Sequence, residues 1–279
     1  MGIAVSLVNQ KGGVGKTSTC HHLAGTLAKA GRRILLVDND PQASLTQGFW
    51  GPEAMRAIAP GESVAALYDP DSLPIPEAII RPTGIQGVSI VPGSGHLTRY
   101  NQLPPELWAE SERGIREFLA EAGDAFDVAL IDNPPNLHLC GWAGLAASDG
   151  VVVPLQAEDY GAQGLGPVQA AIAAVRERVN PGLALLGFLL TMFDKRLAIH
   201  LAYETHLRAL YGETVFRNCV PLAKDFKEAV AARLPISHYK PKTAAARTTR
   251  DVADELLARI AAAAAAAAPA SVRAERSVA

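Results

Sequence analysis

A glycine-rich segment near the start of the chain constrains the fold more than any other feature. The segment reads Lys11-Gly12-Gly13-Val14-Gly15-Lys16-Thr17-Ser18. An apolar run from Ile3 to Val8 precedes it and predicts a buried strand, and small and apolar residues at helical spacing follow it from Cys20 to Ala30. A strand, a glycine-rich turn and a helix in this order are the setting of a phosphate-binding loop. We therefore expect an α/β chain built around this loop.

Each residue type in the loop suits the binding of a polyphosphate. Gly12, Gly13 and Gly15 have no Cβ, so the backbone can adopt unusual dihedral angles and approach a ligand closely. The backbone N–H groups and the start of the following helix then attract phosphate oxygens. Lys16 can reach the β- and γ-phosphates, and the Thr17 hydroxyl can bind Mg²⁺. The loop therefore predicts a site for a nucleoside triphosphate with magnesium.

One position departs from the general P-loop pattern, which has a glycine where this chain has Gln10. Lys11 follows it, so the loop contains a second lysine. This form resembles the deviant Walker A loop of the ParA/MinD partition ATPases. In that family the extra lysine reaches across a dimer interface to the nucleotide of the partner. The resemblance implies that Lys11 acts in catalysis together with Lys16.

A second polar cluster follows the next apolar run, Arg33 to Val37, and reads Asp38-Asn39-Asp40-Pro41-Gln42. Ligands of open α/β sheets gather at the carboxyl ends of strands. Two carboxylates beside a phosphate loop can hold Mg²⁺ and orient a water molecule. The Asp-x-Asp-Pro-Gln pattern is similar to switch I of the same family. This resemblance implies that Asp40 positions or activates the attacking water and that Asp38 supports the metal site.

A third cluster closes the apolar run from Asp127 to Asp132. Asp132 is the candidate Walker B acid, expected to hold Mg²⁺ partly through water. Asn133-Pro134-Pro135-Asn136 follows, where the family usually has a small or hydroxyl residue first and serine last. Because asparagine keeps hydrogen-bonding ability, we expect an intact switch II.

Pro221 resembles the proline that helps to frame the adenine base in the family. Val215 leads to Cys219-Val220-Pro221, and the family places this proline at the end of a strand. The residues after Pro221 depart from the family's Arg-Asn-rich segment. In this part of the chain the resemblance therefore ends at Pro221.

The net charge of −2 gives the chain no global attraction to nucleic acid. Basic residues cluster late instead, because eight lysines and arginines between positions 217 and 250 face only Asp225 and Glu228. Related ATPases bind DNA through basic residues in this region and near position 195, which implies a sequence-independent, salt-sensitive DNA surface. The candidate residues are Lys195, Arg196, Arg217, Lys224, Lys227 and Arg233.

Composition argues against several other classes of protein. Cys20, Cys140 and Cys219 show no close pairing, which predicts neither a disulfide framework nor a zinc ribbon and fits a reducing cytoplasm. No apolar run is long enough for a membrane span, and the alanine-rich end lacks the large apolar residues of a membrane-targeting helix. We therefore expect no membrane partner. Because the first strand begins almost at Met1, we expect the short form of the family, without an N-terminal helix-turn-helix.

The remaining elements are predicted from the same patterns. Gly87 to Val91, Val151 to Leu155 and Leu183 to Thr191 predict strands. Helical spacing predicts helices that span Leu107 to Ala122, Pro167 to Val179, Leu197 to Leu210 and Asp251 to Ala268. By resemblance, the loop after Gln156, through Gly161, lies near the dimer interface.

The sequence thus predicts a doubly wound, mostly parallel sheet flanked by helices. We expect one ATPase domain over residues 1–260, and an alanine-rich helix extension or flexible tail over residues 261–279. The resemblance implies an Mg²⁺-dependent ATPase, converting ATP and water to ADP and phosphate, that forms a homodimer on ATP and binds DNA without sequence preference. It also implies stimulation by a ParB-like or other adaptor protein, and a cytoplasmic, nucleoid-associated protein that positions a plasmid, a chromosome or a protein cargo.

Two alternatives stay open. One is a metal-cluster-carrying relative, which needs paired cysteines at the dimer axis. The other is a small-molecule, ATP-dependent ligase of the same superfamily, which needs a substrate pocket beside the γ-phosphate.

Overall fold

The fold is organised around a central sheet. The computed structural model describes residues 2–267 except 73, 104–106, 108 and 158–164. Its strands are β1 (Ile3–Leu7), β2 (Ile34–Asp38), β3 (Arg81–Pro82), β4 (Val88–Val91), β5 (Val128–Asp132), β6 (Gly150–Gln156) and β7 (Ala184–Thr191). Within the described residues they form a seven-stranded sheet in the order β3-β4-β2-β5-β1-β6-β7. All neighbouring strands are parallel except β3, which pairs antiparallel with β4.

Helices of very different length connect the strands. The α-helices are α1 (Lys16–Lys29), α2 (Ser44–Trp50), α3 (Pro52–Arg56), α4 (Pro76–Ile79), α5 (Thr98–Asn101), α6 (Gly114–Ala122), α7 (Leu139–Ala146), α8 (Gly166–Arg178), α9 (Ala198–Tyr211), α10 (Lys224–Ala231), α11 (Ile236–Tyr239) and α12 (Ala244–Ala267). Short 3₁₀ turns cover Pro60–Glu62, Val64–Tyr68, Gly95–Leu97, Ala109–Glu112, Gly123–Ala125 and Gly212–Thr214.

Two apolar layers enclose the sheet, which is why its central strands are apolar along their whole length. β2 and β5 are buried at every residue. One layer packs α1, α2 and α12 against the sheet, and the other packs α6, α7 and α8 against the opposite face. This three-layer arrangement confirms the predicted doubly wound, mostly parallel sheet flanked by helices.

The strand register brings the polar motifs to one edge of the sheet. Leu7, which leads into the glycine-rich loop, lies opposite Asp132, and Asp38 lies opposite Asp132 on the other side. Because parallel strands end together, three segments far apart in the sequence converge at this edge.

The predicted helix from Leu107 to Ala122 is wrong in its first half. Ala109–Glu112 forms a 3₁₀ turn, and the α-helix begins only at Gly114. Ser111 Oγ donates to the Tyr68 carbonyl at 2.8 Å, and Glu112 Oε2 accepts from Trp142 Nε1 at 2.7 Å. These tertiary hydrogen bonds hold the segment away from a continuous helix, so the amphipathic spacing alone was misleading.

Two further elements differ from the sequence-based expectation. The last helix begins at Ala244 rather than Asp251, where Thr243 Oγ1 accepts from the Ala246 N–H at 3.3 Å and caps it. The stretch that ends at Pro221 makes only isolated bridges, Val215 with Phe188 and Pro221 with Phe193, rather than a full strand.

Some expectations fall at the margins of the description. The last helix continues through Ala267, and the proposed boundary at residue 260 stays a prediction. The loop residues after Ala157 up to Gly164, and the tail from residue 268, lie outside the described residues. Across the described part of the chain, no helix combines the length and apolar character needed to cross a bilayer.

Candidate functional site

The glycine-rich loop has the geometry of a phosphate cradle. Gly13 and Gly15 adopt φ of 79° and 83°, a left-handed backbone that favours glycine. A Cβ at Gly12 or Gly13 would meet no atom of the other described residues within 4 Å, so these residues leave the space above the loop open. α1 starts directly after Gly15, with Lys16 as its first residue. The loop therefore presents its amides and a helix N-terminus to the same open space.

Lys16 and Lys11 differ in orientation. The Lys16 side chain is only 6% exposed, and its Nζ donates to the Asn9 and Lys11 carbonyls at 3.1 and 3.2 Å. Burial lowers the pKa of Lys16, while the carboxylates of Asp132 and Asp40 act in the opposite direction. Lys11 is exposed at the rim of the loop, and its N–H donates to Asn9 Oδ1 at 2.9 Å. One lysine thus faces its own loop and the other faces outward.

Asp132 is a fully buried carboxylate at the end of β5. Neither of its oxygens has an aligned hydrogen-bond partner among the described residues. Burial, followed by the neighbouring Asp38 carboxylate, raises the pKa of Asp132 well above its ordinary value, whereas the Thr17 side chain lowers it. A buried carboxylate whose pKa is raised in this way is stabilised as an anion by a cation beside it. The orphaned oxygens of Asp132 beside Thr17 therefore fit a bound Mg²⁺.

Asp38 shares its carboxylate between this edge and α2. Its Oδ2 accepts from the Thr46 N–H at 2.7 Å and from the Thr46 hydroxyl at 2.6 Å. Its Oδ1 is buried and has no hydrogen-bond partner in the part of the chain that the structure describes. Burial raises the pKa of Asp38 to about 7. One oxygen thus holds α2 in place, and the other remains for a role at the site.

Asp40 and the loop enclose a cavity of about 350 Å³. Asp40 is half-buried, and its Oδ1 accepts from the Gln42 N–H at 2.9 Å. The cavity is lined by the glycine-rich loop, the segment after β2 and Pro135; its lining residues are Gly12, Gly13, Gly15, Lys16, Thr17, Ser18, Asp40, Gln42, Ser44 and Pro135. The structure thus brings the loop and Asp40 to one cavity, with Asp38 and Asp132 at the adjoining strand ends.

The end of β7 joins the glycine-rich loop to Pro221. Thr191 Oγ1 donates to the Val14 carbonyl at 2.8 Å, and Gln156 Nε2 donates to the Gly13 carbonyl at 3.1 Å. Phe193, two residues after Thr191, bridges to Pro221. Pro221 therefore lies beside the chain segment that follows β7, and its contact with the base stays a prediction.

Asn133 links the segment after β5 to the segment after β2. Its Oδ1 accepts from Asn39 Nδ2 at 3.0 Å, and both side chains are fully buried. The sequence indicated only that Asn133 could hydrogen-bond, and nothing in it identified Asn39 as the partner. Their separation of 94 positions explains why: the pair exists only once β2 and β5 are neighbours in the sheet.

The basic candidates are exposed, and they differ in their partners. Arg196 pairs with Asp194 at 2.7 Å, Arg217 with Glu213 at 3.0 Å and Lys224 with Glu228 at 3.6 Å. Lys195 and Lys227 are exposed. Arg233 lies on the surface with a φ of 58° and donates to the Gln47 carbonyl at 3.2 Å.

Two adjacent histidines that the sequence analysis left unassigned lie buried in α1. The His21 ring packs on Phe49 of α2 with centroids 4.3 Å apart, and the His22 ring packs on Phe226 of α10 at 4.8 Å. The two histidine rings meet edge to face at 5.0 Å. We call these four rings the ring row; it joins α2, α1 and α10 and consists of Phe49, His21, His22 and Phe226. Burial lowers the pKa of His21 to about 4 and that of His22 well below its ordinary value.

This burial predicts an acid-sensitive contribution to stability. The pKa of His21 is about 6.5 in the unfolded chain and about 4 in the folded chain. At a pH between these two values, the unfolded chain binds a proton at His21 and the folded chain does not. The free energy of unfolding therefore falls as pH falls through this window, by about 2 kcal/mol between pH 7 and pH 5 for this residue. Asp38, with its raised pKa, acts in the opposite direction, so the effect is measured as a difference from a His21→Gln variant.

Urea unfolding at pH 7 and pH 5 tests this expectation. The wild type should lose about 2 kcal/mol more than His21→Gln over this interval. A His206→Gln variant, on the exposed surface of α9, serves as the control and should follow the wild type. Parallel pH profiles for wild type and His21→Gln would contradict the buried neutral state.

The cysteines bear on the metal-cluster alternative. Cys20 and Cys140 are buried and Cys219 is half-buried, and burial raises the pKa of Cys140 and of Cys219 to about 12. A buried, protonated thiol is a poor metal ligand. Among the described residues, no three His, Cys, Asp or Glu side chains are grouped to hold a metal ion by themselves. A metal at the phosphate cavity would therefore share its coordination with a nucleotide and water, as Mg²⁺ commonly does.

A glycine-rich loop ahead of a helix, with acidic residues at the adjacent strand ends, defines a P-loop nucleotide-binding protein. A family model described as an AAA domain matches residues 2–185. The chain is 37% identical over 259 residues to the chromosome-partitioning ATPase Soj of Thermus thermophilus, covering 92% of this chain and 96% of that protein. It is 31% identical over 261 residues to the sporulation initiation inhibitor protein Soj of Bacillus subtilis, covering 92% and 99%. The chain therefore belongs to the family of ParA/Soj-like partition ATPases.

A solved structure shares the fold and carries a nucleotide with magnesium, although its name is that of a synthase. The cobyrinic acid a,c-diamide synthase from Mycobacterium smegmatis, with bound ATP analog and magnesium, superposes with a TM-score of 0.77 at 29% identity. The match covers 92% of this chain and 94% of that chain. A nucleotide and Mg²⁺ thus occur together in a related protein of the same fold.

Proposed function

We propose that the chain is an Mg²⁺-dependent ATPase that closes as a homodimer on ATP, binds DNA without sequence preference and drives the segregation or positioning of a plasmid, chromosome or protein cargo. One observation carries the proposal: a P-loop with an inward Lys16 and an outward Lys11 shares one edge of the sheet with Asp38, Asp40 and Asp132. Its expected setting is the cytoplasm and the nucleoid, with a ParB-like or other adaptor as stimulating partner.

The residues in and beside the cavity have different roles in hydrolysis. The loop amides and Lys16 bind the β- and γ-phosphates, and Lys16 exchanges the carbonyls of Asn9 and Lys11 for phosphate oxygens. Thr17 and Asp132 hold Mg²⁺, with Asp38 supporting them through its second oxygen. Mg²⁺ neutralises phosphate charge when it is bound. Asp40, at the opposite wall of the cavity, orients the attacking water.

The two lysines support the dimeric arrangement. Lys16 is buried against its own loop, whereas Lys11 lies exposed at the rim beside Gly12 and Gly13. An exposed cation at the open side of a phosphate cavity is placed to meet the phosphates of a facing copy. A second protomer that closes over this cavity would also exclude water from it, which strengthens the electrostatic contacts inside.

The test of the catalytic proposal is phosphate release by the purified wild-type protein. ATP with Mg²⁺ should be sufficient for turnover, and removing the metal with EDTA should abolish it. DNA and an adaptor should raise the rate. Turnover that appears only when a carboxylate or amine substrate is added would favour the small-molecule ligase instead.

The surface of α10 supports DNA binding. Phe226 and Ala229 face the interior, which turns Lys224 and Lys227 outward. Both acids of the basic segment contact Lys240, with Asp225 at 3.1 Å and Glu228 at 2.5 Å. Lys240 therefore offsets part of their negative charge, and the exposed cations of the segment outnumber its two acids.

Removing charge from this surface should weaken DNA binding. In the triple variant Lys224→Gln/Lys227→Gln/Arg233→Gln, we expect about a tenfold or larger loss of affinity for non-specific DNA, and a shallower salt dependence because fewer counterions are released. Fluorescence anisotropy with a labelled duplex, at several salt concentrations and with ATP, measures both quantities.

A matched triple variant controls for net charge. Arg113, Arg116 and Arg178 are exposed on or beside α6 and α8, in the opposite helical layer. Changing these three to Gln should leave DNA affinity and its salt slope unchanged. Equal losses in both triple variants would move the DNA surface away from α10.

A further inference from the structure

Asn39, which lies between Asp38 and Asp40, has a fully buried side chain with every polar group in use. Its Nδ2 donates to Asn133 Oδ1 at 3.0 Å and to the Cys140 carbonyl at 2.7 Å. Its Oδ1 accepts from the Tyr68 hydroxyl at 2.6 Å. Burial raises the pKa of Tyr68 well above its ordinary value, so this hydroxyl remains a donor. Asn39 therefore ties its own segment to three others.

Asn133 is held as firmly from the other side. Its Nδ2 lies 3.1 Å from Ser6 Oγ and 3.2 Å from the carbonyls of Leu7 and Ile131. A Cβ at Gly144 would collide with Asn133 Oδ1, so α7 packs directly on this amide. Asn133 thus connects the strand that leads into the P-loop with the segment after Asp132.

The Asn39–Asn133 bond joins the two segments that carry the reactive carboxylates. Asp40 follows Asn39 directly, and Asp132 precedes Asn133 directly. A backbone bond from the Asn39 N–H to the Asp132 carbonyl, 2.9 Å long, reinforces the contact. A buried amide without a partner costs free energy, so each asparagine holds the other in one orientation. The pair therefore fixes the separation of the Asp40 and Asp132 segments.

We propose that Asn39, Asn133 and Tyr68 are positioning residues for ATP hydrolysis, an inference that rests on the proposed function. Their hydrogen bonds set the position of Asp40, which orients the attacking water, relative to Asp132 and the P-loop. None of the three is among the described residues that line the phosphate cavity. Their loss should lower the rate of the chemical step and leave nucleotide binding nearly unchanged.

Tyr68→Phe is the sharpest test, because it removes one hydroxyl and keeps the ring. We expect kcat for ATP hydrolysis to fall about tenfold, since displacement of a catalytic group by a fraction of an ångström has effects of this size. KM and the dissociation constant of a fluorescent, non-hydrolysable ATP analogue should change less than about twofold.

Tyr100→Phe is the matched control. The Tyr100 ring stacks on Tyr68 with centroids 5.6 Å apart, and its hydroxyl bonds to Arg99 rather than to the asparagine pair. The same chemical change therefore occurs in the same cluster without touching Asn39. The control should keep the wild-type kcat.

A double-variant cycle tests the asparagine pair itself. Asn39→Ala and Asn133→Ala should each lower kcat, and the combined variant should be no slower than the slower single variant, because both remove the same bond. If these variants fail to fold, as circular dichroism would show, Tyr68→Phe alone decides.

The outcomes separate the two levels of the proposal. A wild type without ATPase activity would overturn the proposed function and this inference with it. An active wild type in which Tyr68→Phe and Tyr100→Phe have equal kcat would overturn only the inference. Multiplicative losses in the double variant would likewise show that the two asparagines act separately.

Discussion

Lys16→Ala should reduce ATP binding by at least a hundredfold. Lys16 lines the phosphate cavity from within, and its Nζ would otherwise supply charge-assisted hydrogen bonds to the β- and γ-phosphates. Two hydrogen bonds to a charged group, each contributing about 1.5–3 kcal/mol, correspond to a loss of about 10² to 10⁴ in affinity. Anisotropy of a fluorescent ATP analogue with Mg²⁺ measures the change.

Two further variants distinguish the loss of phosphate contacts from misfolding and from the role of the other lysine. Lys16→Gln retains most of the side-chain volume and a donor toward the Asn9 and Lys11 carbonyls, so it should fold and still bind ATP poorly. Lys11→Ala removes the other lysine of the loop and should leave monomer binding within a few-fold of wild type, while it abolishes ATP-dependent dimerisation. Tight ATP binding by both Lys16 variants would remove the P-loop assignment.

Asp40→Ala should bind ATP and dimerise, yet hydrolyse ATP about 10² to 10⁴ times more slowly than the wild type. Asp40 is half-buried at the wall of the phosphate cavity, and its carboxylate accepts a hydrogen bond from the Gln42 N–H, only two residues away. The side chain can therefore be removed with little structural cost. Phosphate release gives the rate, and light scattering coupled to size-exclusion chromatography gives the mass with ATP.

Two further variants test whether hydrolysis requires the charge of Asp40 in particular. Asp40→Asn keeps the hydrogen bond from Gln42 and removes the charge, so it should resemble Asp40→Ala in rate. Asp71→Ala, on an exposed turn, is the control for loss of a surface carboxylate. Undiminished turnover in Asp40→Ala would contradict the switch I role, and a strictly monomeric mass with saturating ATP would contradict the proposed dimer.

The part of the fold that depends on local patterns could be predicted from the sequence. The strand before the loop, the helix after it and the buried β5 run all rest on residues close together in the chain. The same holds for the acidic residues at the strand ends, because parallel strands must bring them to one edge. The family resemblance rested on the same short motifs and was confirmed by the comparisons.

Contacts between distant segments could not be predicted in this way. Asn39 and Asn133 each look like ordinary loop residues until the sheet order places β2 beside β5. The first half of the helix predicted from Leu107 to Ala122 was wrong because Ser111 and Glu112 bond to other elements. The start of the last helix was missed for a simpler reason, since Thr243 before an alanine run is itself a capping signal.

The ring row packs α1 against two helices, α2 and α10. On one side it touches the helix that follows Asp40, and on the other the helix that carries Lys224 and Lys227. Tightly packed interiors do not deform piecemeal, so a displacement of α1 on triphosphate binding would also displace α10, which carries the proposed DNA-binding lysines. In the proposed cycle the two imidazoles would couple ATP binding to DNA binding. A conservative change at His22 should therefore alter how DNA binding responds to ATP without altering either surface.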